Sequence, residues 1–262
     1  MLFNFLLKPL ADITPCGQPG EENLHWFGLT DGEYWLEAGE HRLLEYSEVV
    51  CSVHGVPRHC QYQVVRLHED LGEMLPYILE PVPTALFPYL IGETARAWLD
   101  NWQKWQARLE SLENDHPDWD IAYDAITWIQ QRSLDTGYLS PSARIRMWSD
   151  ASHVFLGWDN RDKLYEGMAV WSADIGNIQL LRESFLADVQ SFHQRFMSEM
   201  EERIEQVLAG ALPSHIYVDR EELKREQQRR RNFGNAFARP LVATDWNRVR
   251  NAIAALDIKS GL

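Results

Sequence analysis

The stretch ESFLADVQSFHQRFMSEMEERIEQVLA, residues 183–209, sets the reading of everything around it. Its apolar residues Phe185, Val189, Phe192, Phe196, Met200, Ile204 and Val207 recur every three or four positions. On a helix that spacing gathers them into one continuous stripe, and Gly210 stands where a C-terminal cap belongs. Such a helix is a core element. Immediately upstream the period changes to two. ARIRMWS (143–149) and HVFLGWDN (153–160) alternate apolar and polar residues across the turn-like Asp150-Ala151-Ser152. GMAVWSADIGNIQLL (167–181) adds one or two further strands, with Gly176-Asn177 as a turn.

The first fifty residues carry a second β signal. MLFNFLLKPLADITP (1–15) reads as a first strand; its only cation, Lys8, follows the apolar run, and no small-residue cleavage site comes after it. LHWFGLT (24–30) and EYWLEAG (33–39) suit strands, with Asp31-Gly32 as a two-residue hairpin. Gly39-Glu40 then turns into HRLLEYS (41–47), completing a small meander.

Between the β blocks the period is helical. Tyr62, Val65, Leu67, Leu71 and Leu75 form one run, ended by Pro76 and the EPVP of 80–83. A long helix follows over Thr84–Leu112, with Trp98, Trp102 and Trp105 on one face. Another opens near Pro117 and runs through DWDIAYDAITWIQQRSLD (118–135) to Thr136-Gly137. Beyond 209, DREELKREQQRRR (219–231) is a charged helix and a loop runs through Pro240. TDWNRVRNAIAAL (244–256) opens a last helix, capped by Thr244 or Asp245. Two antiparallel β blocks, each followed by helices, give an α+β fold. We read an N-terminal lobe, 1–142, and a C-terminal lobe, 143–262, packed as one compact unit; whether the β blocks share a sheet is left open.

Charge separates the lobes. The net charge of −14 lies wholly in residues 1–142, where 8 Lys+Arg face 22 Asp+Glu; residues 143–262 carry 17 of each. An acidic field of that kind repels nucleic acid and anionic membrane and attracts basic partners, although solubility alone is the plainer explanation. No apolar run approaches the roughly 20 residues that cross a bilayer. Three cysteines, Cys16, Cys51 and Cys60, favour a reducing compartment, so a cytoplasmic location is expected.

Few residues suggest chemistry. Cys51, His54, His59 and Cys60 in CSVHGVPRHC are the one metal-like cluster, but adjacent His59 and Cys60 chelate jointly only with difficulty. No metal and no cofactor are expected. No histidine falls in an H-E-x-x-H or H-x-E pattern, and the nucleophile-elbow, phosphate-loop and dinucleotide motifs are missing. Asp118, Asp120 and Asp124 are explained by the positive end of their helix, and the tryptophan face by core packing. Arg225, Arg229, Arg230 and Arg231 sit among Glu221, Glu222 and Glu226, so this run reads as self-neutralised rather than as a nucleic-acid site. In the first block, strand alternation places Glu33, Trp35 and Glu37 on one face and Tyr34 and Leu36 on the inward one. With Asp31 and Glu40 these form an acidic rim about Trp35, which either covers a neighbouring element or anchors a partner.

Several segments together (FNFLLKPLADITPCG, LHWFGLTDGEYWL, QYQVVRLHEDL, RSLDTGYL, RIRMWSDASHVFLGWDN, FLADVQSFHQRFMSEMEERI and TDWNRVRNAI) resemble a bacterial family known only as a domain of unknown function. The likeness spans nearly the whole chain, and Cys51, His54 and Cys60 are not part of its pattern. It implies a bacterial cytosolic protein and supplies no activity. Its motifs mark Arg132, Asp135 and Tyr138 in RSLDTGYL, and Trp158 and Asp159 in FLGWDN. These converge on a polar pocket walled by aromatics, or they tie the lobes together as a buried ion pair and aromatic core. Two functions remain. One is a non-catalytic binding protein that neutralises a basic protein partner, most concretely a toxin-immunity protein; the other is a small-molecule binder or enzyme using the Arg132–Asp159 neighbourhood.

Overall fold

The computed structural model describes residues 1–110, 118–232 and 242–260, with side chains to 256. Pro117, Leu112 and the loop to Pro240 lie outside the described residues. The fold is α+β. Strand β1 (Phe3–Leu7) pairs antiparallel with β2 (Asp31–Ala38), Phe5 opposite Tyr34. The other side of β2 takes β3 (His41–Leu43) along one half and β4 (Cys60–Gln63) along the other. Between them α1 (Glu48–His54) starts at Ser47, whose Oγ accepts from the Val50 N–H at 3.3 Å, and ends at left-handed Gly55.

The expected hairpin at Asp31-Gly32 is not there. Both residues lie inside β2, and LHWFGLT is a loop closed by a 3-10 turn at Gly28–Thr30. Gly32 serves close approach instead: a Cβ there would lie 2.4 Å from the Leu6 carbonyl oxygen of β1.

Helix α2 (Val65–Leu79) passes through Pro76 and ends three residues later, while Tyr62 belongs to β4. Proline cannot donate to the carbonyl four residues back, so the helix stops within a turn. The expected helix over 84–112 is two pieces. A 3-10 segment at Thr84–Tyr89, with Pro88 inside it, precedes α3 (Gly92–Leu109). Extended Ile91 and left-handed Gly92 make the break. On α3, Trp98 and Trp105 are buried and Trp102 donates to the Ala122 carbonyl of α4 (Asp118–Gln130) at 3.3 Å. The tryptophan face is therefore packing.

The second β block is a separate sheet. Strands β5 (Ile145–Ser149) and β6 (His153–Asp159) pair antiparallel across the 150–152 turn. A small hairpin, β7 (Leu164–Tyr165) and β8 (Met168–Ala169), stands apart. Strand β9 (Ile175–Leu181) then joins β6. Gly176-Asn177 lies inside β9 and is no turn; a Cβ on Gly176 would meet the Trp158 ring at 2.4 Å. Chain continuity then leads into α5 (Arg182–Leu208), followed by α6 (Arg220–Arg231) and α7 (Trp246–Ser260). Asp219 caps α6, accepting from Glu221 and Glu222 N–H groups; Asp245 accepts from Asn247 and Arg248 at the start of α7.

Two hydrophobic cores result. In the first, the α5 stripe packs on β1: Phe192 meets Phe3 and Phe5 at ring distances of 5.9 and 5.6 Å, and Phe196 meets Phe5 at 5.7 Å. Polar residues of α5 seal the same seam, Arg195 donating to the Phe3 carbonyl and Arg203 to those of Lys8 and Leu29. Leu156 and Trp158 on β6 also face this core. The opposite face of that sheet, with Trp148 and Phe155, meets α3, α4 and α7 in the second core. Both cores draw on residues from either side of position 142. No described helix is long and apolar enough to cross a membrane.

Candidate functional site

Along β2 burial alternates. Tyr34 and Leu36 are wholly buried, whereas Glu33, Trp35 and Glu37 share the outer face. Trp35 covers a neighbour: its ring stacks on His59 at 4.1 Å, with 12° between planes. Its acidic rim is largely partnered. His59 Nδ1 lies 3.4 Å from Glu33, Arg42 lies 3.9 Å from Glu37, and Asp31 accepts from Lys8 at 2.8 Å. Buried Glu45 takes Arg58 at 2.7 Å. Burial lowers the His59 pKa, against the pull of Glu33 and Glu45. Glu40 stands exposed at the turn.

The five motif residues do not converge on one pocket. Arg132 is wholly buried and pairs with Glu80 at 2.7 Å, not with Asp135. It also donates to the Trp128 carbonyl and lies 5.2 Å over the Trp246 ring, while Glu80 accepts from the Thr244 N–H and hydroxyl at 2.6 Å. This network fastens α7 to α2 and α4. Trp158 is core, and Asp159 is held bidentate by Arg161 at 2.8 and 2.9 Å. Tyr138 stacks on Tyr62 at 4.3 Å and its hydroxyl meets that of Tyr34, where burial raises both phenol pKa values. Exposed Asp135 accepts from the Gly137 N–H.

The cysteine–histidine loop is also divided. Cys60 is buried, its thiol donating to the Tyr34 carbonyl at 3.3 Å, and burial pushes its pKa up to about 12. A thiol that resists deprotonation is a poor metal ligand. Among the described residues no three His, Cys, Asp or Glu side chains group as a metal site. Arginines of α6 pair with nearby carboxylates: Arg225 with Glu222, Arg230 with Glu69 and Glu226, Arg231 with Glu201.

Asp135 instead opens onto a cleft of about 680 Å³, whose lining includes Asp70, Glu73 and Tyr77 of α2, Gln131 beyond α4, and Val242. The charge in this cleft is unbalanced. Among the described residues, no cation lies within 4 Å of Asp70, Glu73 or Asp135, and Asp70 Oδ2 is buried without a hydrogen-bond partner. Burial, aided by Asp135 and Glu73 and opposed by Arg66, raises the Asp70 carboxyl pKa to about 7. The sequence pattern singles out Asp135 but not Asp70 and Glu73. Their i, i+3 spacing in HEDLGE is a signal, though a solvated helix face gives the same pattern.

The raised pKa has a sign that can be measured. An acid with a higher pKa in the folded than in the unfolded state binds more protons when folded. Its effect on stability therefore worsens as pH rises from about 4 toward 7. Asp70→Asn should accordingly raise the melting temperature at pH 8 and change it little at pH 4. Equal shifts at both pH values in thermal scans would rule out burial of the Asp70 carboxylate as their cause.

A model described as a family of unknown function (DUF5984) matches residues 2–252 of the chain. No curated protein and no solved structure matches.

Proposed function

We propose that the chain, which belongs to this family of unknown function, is a binding protein that neutralises a basic protein partner, most concretely a toxin-immunity protein. The supporting observation is the α2 cleft, where half-buried Asp70, its Oδ2 without a hydrogen-bond partner, stands beside Glu73 and Asp135. Glu69, Glu80, Glu93 and Asp124 have arginine partners inside the chain, whereas half-buried Asp70 has no cation within 4 Å among the described residues and shares its cleft with exposed Glu73 and Asp135. A carboxylate group left unpaired and partly desolvated costs stability, and a lysine or arginine side chain from outside offsets that cost. Tyr77 and Met74 supply an apolar wall for the stem of such a side chain. The remaining negative surface steers the partner in.

The test is titration of the protein with short arginine- and lysine-rich peptides by calorimetry, with Asp70→Asn/Asp135→Asn as comparison. Binding should weaken with salt and fall about tenfold or more in the variant, since a close charge pair is worth about 1.5 kcal/mol or more and tenfold is about 1.4 kcal/mol. Equal affinity for wild type and variant would sink the cleft assignment. The cleft volume also lies within the roughly 300–1,000 Å³ of small-ligand pockets, so a free cationic small molecule is the second reading. Displacement of the peptide by a diamine favours that alternative.

A further inference from the structure

Two sheet edges, those of β5 and β1, are covered. Outside β5, the chain at 132–134 and 81–82 supplies bonds: Met147 N–H to the Arg132 carbonyl, Leu134 N–H to Ile145, and Val82 N–H to Ser149. Beside β1, the guanidinium groups of Arg195 and Arg203 cover the carbonyls of Phe3 and Lys8. Strand β9 has no such cover among the described residues. Pairing with β6 uses its even-numbered residues, as shown just beyond its two ends by Arg182 N–H to Ser152 and Asn160 N–H to Asp174. The N–H groups of Ile175, Asn177, Gln179 and Leu181 therefore point away from β6, and none finds an acceptor among the described residues.

A bare edge invites a strand, and soluble proteins usually blunt it with charge, proline or a bulge. IGNIQLL carries none of these. Its exposed side chains instead complement their own reversed order. In an antiparallel pair centred on Ile178, Ile175 (39% exposed) faces Leu181 (60% exposed) of the second copy, and Asn177 faces Gln179. One position further out, exposed Asp174 faces half-buried Arg182, one of whose guanidinium nitrogens donates to the Leu79 carbonyl of its own chain at 2.7 Å. The backbone parity agrees, because the outward N–H groups at 177 and 179 then sit opposite each other as hydrogen-bonded pairs. A two-fold axis through Ile178 satisfies both copies at once.

We propose that the chain forms a symmetric dimer in which two β9 strands pair antiparallel about Ile178, joining two three-stranded sheets into one. The partner is a second copy because opposite charges, apolar side chains and amides match their own reversal. This interface is independent of the α2 cleft.

Sedimentation velocity over the micromolar range tests it. The wild type should dimerise. Asn177→Pro removes an outward N–H that the fold does not use and should abolish the dimer. Asp174→Lys places like charges opposite each other twice and should weaken association about tenfold or more. Asp174→Lys/Arg182→Glu should restore it to within a few-fold; the swap gives up the Arg182 bond to the Leu79 carbonyl, and glutamate in the first turn of α5 offsets that loss. Circular dichroism confirms that each variant is folded. The proposal fails if the wild type stays monomeric, including a monomer that captures an extended strand of another protein. It fails equally if the dimer ignores both Asn177→Pro and Asp174→Lys.

Discussion

Arg132→Ala should cost about 3–5 kcal/mol of stability, because it leaves the buried Glu80 carboxylate without its cation. Removing one partner of a buried pair exposes the full desolvation cost of the other, which exceeds the worth of the pair itself. Thr244 still donates to Glu80 through its N–H and hydroxyl, so the carboxylate is not stripped bare, and its two short bonds limit the loss. The double variant Arg132→Met/Glu80→Leu should be less damaged than Arg132→Ala, since no uncompensated charge remains. It should still fall short of wild type because Thr244 loses its acceptor. The damage should concentrate in α4 and α7, which hydrogen exchange can localise. Urea unfolding that finds less than about 1 kcal/mol would mean water reaches Glu80.

Phe192→Ala should cost a comparable amount, about 3–5 kcal/mol, for a different reason. Its side chain is fully buried against Phe3, Phe5 and Phe196, so truncation loses apolar burial and leaves a void lined by rings. Those rings belong to β1 and α5, elements fixed by their own hydrogen bonds, so collapse into the void is limited. A measured loss below about 1 kcal/mol would contradict the assignment of the α5 stripe as core. Conservative Phe192→Leu should recover more than half of the loss, which separates packing from global misfolding.

The elements most legible in the sequence were those whose pattern is local. The α5 stripe needs only its own spacing, and β5 and β6 announce themselves by alternation across a short turn. Asp245, named with Thr244 as a cap, marks its helix start by side-chain chemistry alone. Glycine defeated the reading twice, at Gly32 and Gly176, for one physical reason. Turn signals and close-approach signals use the same residue, and only the neighbour decides between them; in this chain the neighbours are the Leu6 backbone and the Trp158 ring. Pairing at a distance was equally hidden. Arg132 sits one turn from Asp135 but bonds Glu80, 52 residues away. The cleft was invisible because Asp70 differs from any exposed helix carboxylate only through what surrounds it.

The seam between β1 and α5 also bears on how the chain is made. The Phe3 carbonyl and the Arg195 guanidinium that caps it are 192 residues apart. At roughly 5–20 residues per second, a ribosome takes on the order of 10–40 s to deliver the second after the first. Throughout that interval Phe3 and Phe5 lack the α5 rings they pack on, and that aromatic face is open to any sticky surface nearby. Long-range closure of this kind also slows refolding from denaturant, where the ends must find each other by diffusion. A nascent chain halted before α5 should therefore bind hydrophobic chaperones through its first strand and release them once Phe192 and Phe196 emerge.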